Sequence, residues 1–245
     1  MGTTVAIDVY AVGGSTGAGV RADLASAQAI LHRADEVFST WQPDSPISKL
    51  RRGEITTAQA PAEVAEVLGL CAEAKDLSDG WFDPWAMPGG IDPAGYVKGW
   101  AAQRALAAFR TATIRGAIVN AAGDIASFGG MTPGEPFRFG IADPLAPHRL
   151  AAVIRHTGAV ATSGTYERGQ HLIDPRLGRP VARAASASVT GPDLGLADAL
   201  ATALAVAGDR GLRLIERIDG YEALVIARDG SRRWTAGFPF APDAS

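Results

Sequence analysis

A chain of 245 residues, 47% hydrophobic and 20% charged, can bury a sizeable core in one large domain or two small ones, which excludes global disorder. A formal net charge of −3 argues against a nucleic-acid or anionic-membrane surface as the main partner, so any anionic ligand has to be held locally. Cys71 is the only cysteine, which excludes an intrachain disulfide and a thiolate zinc site.

Residues 3–10 read as a strand from the alternation of Val5, Ile7 and Val9, and Gly13-Gly14-Ser15 reads as a turn. Residues 21–38 carry a helical stripe of Leu24, Ala27, Leu31, Ala34 and Phe38. Residues 41–52 are polar and proline-punctuated, hence a loop. A second helix is predicted over 61–77, with Pro61 suited to a first turn. Cys71 falls in its apolar run and reads as a buried helix residue rather than a nucleophile. Residues 80–90 form an aromatic loop with Trp81, Phe82 and Trp85, and a third helix is predicted over 97–109.

The remainder is richer in strands, predicted at 117–120, 137–142, 150–156, 159–162, 185–190 and 222–227. Helices follow at 196–207 and 210–218. Strands and helices do not alternate strictly, which favours an α+β fold, a single mixed sheet-and-helix domain over 1–245. No internal repeat or long linker interrupts it. The chain starts without a basic-then-apolar leader and has no apolar run near about 18 residues. A soluble, unexported, cytoplasmic protein is the expectation.

Asp198 and Thr202 are four residues apart, hence on one face of the predicted helix. Their oxygens suit a hard ion such as Mg²⁺ better than zinc, with phosphate, carbonyl or water oxygens completing the shell. The alternative is an Asp near a helix start and a Thr bonding back to its own backbone. His171 precedes an acidic turn, Asp174-Pro175-Arg176-Leu177-Gly178. It reads either as a structural histidine or as a base whose neutral imidazole takes a proton near physiological pH. Such a base near a divalent ion points to chemistry on a phosphate.

The run from Gly89 to Trp100 is a Gly-rich turn leading into a helix, able to offer backbone amides to an anion with Lys98 adding charge. It lacks Walker A or dinucleotide-fingerprint spacing. Asn120-Ala121-Ala122-Gly123-Asp124 reads equally as a ligand-approach turn and as a plain turn after a strand. Trp41, Trp81, Phe82 and Trp85 lie in loops, where aromatics cover a core edge or stack on a flat heterocycle. Flat rings, a pyrophosphate and a divalent ion together make a dinucleotide such as FAD.

These residues, in this order, resemble the FAD:protein FMN transferase family, the ApbE flavin transferases. The resemblance runs through Met1-Gly2-Thr3, Phe38-Ser39-Thr40-Trp41, Asp79 to Pro84, Asp92 to Gly99, Asn120 to Asp124 and Thr162 to Tyr166. His171 to Gly178 and Ala197 to Thr202 complete it. It implies the family's T-fold-like architecture and a metal site from the Asp198 and Thr202 side chains with the Gly95 carbonyl. Mg²⁺ is the implied ion, and Mn²⁺ fits the same ligands. It implies FAD held by Met1, Trp41, Trp81, Phe82, Asp83, Asp92, Lys98 and Ile173, with His171 assisting the incoming hydroxyl. The implied partner is an acceptor protein with an exposed Thr or Ser. The chain departs from the family at Ala122, where relatives usually have glycine, and at Ala201, which is acidic in some relatives. The segment between Pro84 and Asp92 is short, and no lipid-attachment cysteine lies near the start. The expected reaction transfers FMN to the acceptor and releases AMP. An FAD pyrophosphatase and an FAD-binding protein without turnover are the alternatives.

Overall fold

The computed structural model describes residues 3–13, 17–146, 148–164, 172–181 and 183–242. Its first half is β1 (Val5–Ala11), α1 (Gly17–Phe38), α2 (Pro46–Arg51), α3 (Ala62–Leu77) and α4 (Ala94–Ala107), with short 3₁₀ turns at Thr57–Gln59 and Pro84–Ala86. Strands β2 (Ile114–Ala121), β3 (Asp124–Phe128), β4 (Phe137–Ala142), β5 (Leu150–His156) and β6 (Ala159–Gly164) follow. Then come β7 (Ile173–Asp174), β8 (Arg179–Pro180), β9 (Ala184–Gly191), α5 (Leu194–Ala207), α6 (Asp209–Ile215), β10 (Glu222–Ala227) and β11 (Arg232–Trp234).

Seven strands form one sheet in the order β1-β2-β3-β6-β9-β10-β11, every neighbour antiparallel. The α+β expectation therefore holds. Because side chains alternate along a strand, β10 feeds two cores. Ala223 and Val225 join the large core beneath the helices, while Leu224 and Ile226 join a smaller one with Phe137, Phe139, Ile154 and Phe238. The β4–β5 hairpin and the C-terminal segment thus cap the sheet face opposite the helices. Each fully buried Leu or Ile contributes about 1.5–3 kcal/mol.

Helix α5 is buried on nearly all sides, Leu196 and Thr202 being its half-exposed positions. Its alanines let it lie between α4 and the strands β6 and β9. At Gly99 any Cβ would run into the Leu194 carbonyl, so glycine is what permits the α4 and α5 backbones to touch. Cys71 is fully buried in α3, as its periodicity implies, and burial pushes its thiol up to about 12.

Several elements depart from the sequence reading, the two-residue strands β7 and β8 among them. The loop over 41–52 contains α2, nucleated by Pro46 at its first turn and by the Ser45 hydroxyl accepting from the Ser48 amide at 3.1 Å. The five-residue β3 follows β2 through a two-residue turn. At the sheet edge, β11 carries Arg232, Arg233 and Trp234, all exposed, so no apolar alternation marks it. No helix among the described residues is long and apolar enough to cross a membrane.

Candidate functional site

One end of the sheet gathers the residues of interest. There β2 turns into β3 at Ala122-Gly123, β6 finishes at Ser163-Gly164, and the first turns of α4 lie over the second and third turns of α5. Asp193 starts α5 by accepting the Leu196 amide at 2.8 Å, which fixes the phase of the helix. With that phase Asp198 and Thr202 occupy successive turns on one face, as their spacing predicts.

Asp198 is almost wholly buried, and its carboxylate lies 4.0 Å from the Lys98 ammonium of α4. The same ammonium contacts the carboxylate of Asp124, the first residue of β3. Asp124 accepts the Thr162 amide at 2.9 Å through its other oxygen. Thr202 places its hydroxyl 3.2 Å from that of Ser163. Gly95 completes the group. A Cβ there would sit 3.6 Å from the Thr202 hydroxyl and 3.2 Å from the Phe82 ring, so its lack of a side chain leaves that space open.

The start of α4 is held by Asp92, which accepts the Ala94 amide at 3.0 Å and pairs with Arg51 at 3.4 Å. Asp83 accepts the Trp85 amide at 2.9 Å and pairs with Lys75 at 2.8 Å. Both carboxylates therefore position backbone next to Gly95 and Phe82. Trp81 is buried, with the Arg176 guanidinium 3.7 Å above its ring and that of Arg183 at 5.3 Å. Trp41 is 90% exposed. Ile173 is half-buried on β7 opposite Pro180. Met1 and His171 lie outside the described residues.

The structure thus brings Gly95, Lys98, Asp198, Thr202 and Phe82 together. Reading the sequence for single roles missed Asp124 and Ser163, although both stand inside the quoted runs Asn120 to Asp124 and Thr162 to Tyr166. The signal was the turn chemistry at 120–124, which delivers a buried carboxylate to the end of a strand. A cavity of about 740 Å³ opens nearby between β1 and α1, lined by Thr3, Val5, Ile7, Leu31, His32 and Asp35 among others. It borders the same sheet end, because Val5 pairs with Ala121 and Ala121 with Asp124.

The donor set suits a hard cation: one buried carboxylate, a hydroxyl one turn on, and helix-start backbone beside an open glycine position. Among the described residues no group of three or more His, Cys, Asp or Glu could hold a metal ion by itself. Such a site is of the kind Mg²⁺ occupies together with substrate phosphates and waters.

The model of the ApbE family matches residues 1–90 and 88–225. The chain belongs to the ApbE family. The FAD:protein FMN transferase of Rhodobacter capsulatus is 38% identical over 151 residues, 58% of this chain and 29% of that protein. The FAD:protein FMN transferase of Salmonella typhimurium is 27% identical over 151 residues, 57% of this chain and 43% of that protein. The matches therefore span less than half the length of these curated relatives. The flavin transferase ApbE of Vibrio cholerae superimposes with a TM-score of 0.81 at 21% identity, over 96% of this chain and 94% of that chain. That likeness establishes the ApbE fold for the chain.

Proposed function

We propose that residues 1–245 form an Mg²⁺-dependent FAD:protein FMN transferase domain. It moves FMN from FAD to a Thr or Ser hydroxyl of an acceptor protein and releases AMP. The observation that carries this reading is the convergence of Asp198, Thr202, Gly95 and Lys98 at one sheet end. Membership of the ApbE family supports it.

The Asp198 carboxylate, the Thr202 hydroxyl and the Gly95 carbonyl hold the divalent ion. When bound, Mg²⁺ supplies neutralisation of charge on the pyrophosphate. Lys98 lies alongside as a second positive group for the phosphates. Trp41 offers an exposed aromatic face to the flavin or adenine, Asp83 and Asp92 hold the surrounding backbone, and the cavity beside β1 gives the dinucleotide room. Trp81, Phe82, Ile173 and Met1 complete the FAD contacts.

The acceptor hydroxyl attacks the FMN phosphorus, and its proton passes to the His171 imidazole. An O–P bond to the acceptor forms as the bond from that phosphorus to the bridging oxygen breaks, and AMP leaves with the electron pair. Positioning and charge neutralisation supply most of the rate.

A mass-resolved time course tests this, using the full chain, FAD and MgCl₂ with and without an acceptor bearing an exposed threonine. Gain of one FMN mass by the acceptor in step with AMP is expected. Free FMN and AMP regardless of acceptor would make the chain an FAD pyrophosphatase, and unchanged bound FAD would leave a binding protein.

A further inference from the structure

Lys98 stands between two carboxylates that water barely reaches. The side chains of Asp124 and Asp198 are 1% and 4% exposed, while that of Lys98 is 23% exposed. Buried carboxylates are costly without a cation close by. The two contacts are unequal: Lys98 touches Asp124 and stands 4.0 Å from Asp198. Asp124 is itself fixed, since it sits at the turn into β3 and accepts the Thr162 amide at 2.9 Å. A lysine stem is long and flexible, so the ammonium can swing while both carboxylates stay in place.

We propose that Lys98 is a built-in substitute for the divalent ion, compensating Asp198 in the metal-free chain, and that Asp124 is the positioning residue that draws Lys98 aside when metal arrives. This rests on the metal reading proposed above. Without Asp124 the ammonium would move fully onto Asp198 and compete with the metal. Removing a carboxylate that is not a ligand then weakens metal binding, and removing the lysine as well restores it.

The experiment titrates Mn²⁺ alone into the full chain and follows unbound Mn²⁺ by its paramagnetic resonance signal, with melting temperatures in EDTA and in Mn²⁺. Four variants are compared with wild type: Asp198→Ala, Asp124→Asn, Lys98→Met and the double variant Asp124→Asn/Lys98→Met. Asp198→Ala should lose binding. Asp124→Asn should weaken it by about tenfold or more, and Lys98→Met should tighten it by about as much. The double variant should bind within about threefold of Lys98→Met. Lys98→Met should melt earlier than wild type in EDTA and recover in Mn²⁺.

A double variant as weak as Asp124→Asn would make Asp124 a metal ligand and overturn the proposal. Should Lys98→Met not fold, comparison of the charge-balanced double variant with Asp124→Asn decides alone. Wild-type binding that Asp198→Ala leaves intact overturns the metal reading and this inference with it. No wild-type binding of Mn²⁺ alone overturns this inference, because a lysine that substitutes for the ion needs a site that holds the ion without substrate. Binding lost in Asp198→Ala but not tightened by Lys98→Met overturns the role of Lys98 alone.

Discussion

The hydroxyls of Ser163 and Thr202 lie 3.2 Å apart, joining the end of β6 to the third turn of α5. Ser163 is buried, and its neighbour Thr162 carries the amide that Asp124 accepts. One strand end therefore orients both a hydroxyl beside the proposed metal site and the carboxylate that holds Lys98. Ser163→Ala should cost about 1 kcal/mol of stability for one lost hydrogen bond. It should also weaken Mn²⁺ binding on the order of tenfold, because Thr202 loses the group that sets its rotamer. Thr202→Val keeps the shape of the side chain and should weaken Mn²⁺ more than Ser163→Ala does. Denaturant melts and Mn²⁺ titration read the two effects separately. Equal binding in wild type and Thr202→Val would remove Thr202 from the site.

The two tryptophans assigned to FAD make opposite predictions. Trp81 is 7% exposed beneath Arg176, so Trp81→Ala should cost about 3–5 kcal/mol in folding. Trp41 is 90% exposed, so Trp41→Ala should leave stability within about 0.5 kcal/mol of wild type. Its effect should fall on FAD instead, a loss of about 1 kcal/mol or a roughly fivefold weaker Kd. Quenching of flavin fluorescence on titration measures this. An unchanged Kd in a fully stable Trp41→Ala would leave Trp41 outside the binding surface.

That contrast shows where sequence reading stops. Both tryptophans stand in connecting segments, and nothing in local pattern says which one the fold covers. Trp81 is buried in the main core, and the two arginines over its ring come about a hundred residues later, Arg176 in the turn between β7 and β8 and Arg183 between β8 and β9. By contrast, Asp198 and Thr202 were legible because helical spacing alone puts them on one face. Asp124 was not, since its pairing with Lys98 depends on how β3 registers against β2 and how α4 crosses the sheet. Long periodic helices and alternating strands could be read with shifted ends, whereas the short β3 and the charged edge strand β11 offered too little pattern.

Ala122 stands where the family resemblance implies glycine, and its conformation has a physical consequence. It has φ of 50° and Gly123 has φ of 93°, the positive-φ pair of a two-residue hairpin turn that Ala121 and Asp124 close. The Asn120 side chain accepts the Gly123 amide at 2.8 Å and holds that conformation. A Cβ at Ala122 is strained there, so Ala122→Gly should stabilise the chain by roughly 0.5–1 kcal/mol, the relief outweighing added freedom in the unfolded chain. A β-branched side chain is worse suited still, and Ala122→Val should destabilise. Urea unfolding at neutral pH checks both. A less stable Ala122→Gly would mean that the turn carries no strain to relieve.

His156, away from the proposed site, makes a pH prediction whose sign is fixed. It ends β5 opposite Phe137, and burial lowers its pKa from the ordinary 6.5, only partly offset by hydrogen bonds to the Gly191 and Ala159 backbone. The folded state then takes the proton less readily than the unfolded chain does. Stability from this residue is full above 6.5 and is lost as pH falls through 6.5 toward the lower folded value. His156→Gln keeps a polar group facing Gly191 but cannot titrate. The stability difference between wild type and variant should therefore be constant above neutrality and shift in favour of the variant on acidification. Urea midpoints for both proteins from about pH 5 to about pH 8 measure it, because groups common to the two cancel in the difference. A difference that stays flat across that range would mean His156 titrates alike in the folded and unfolded chains, and that its burial carries no charge penalty.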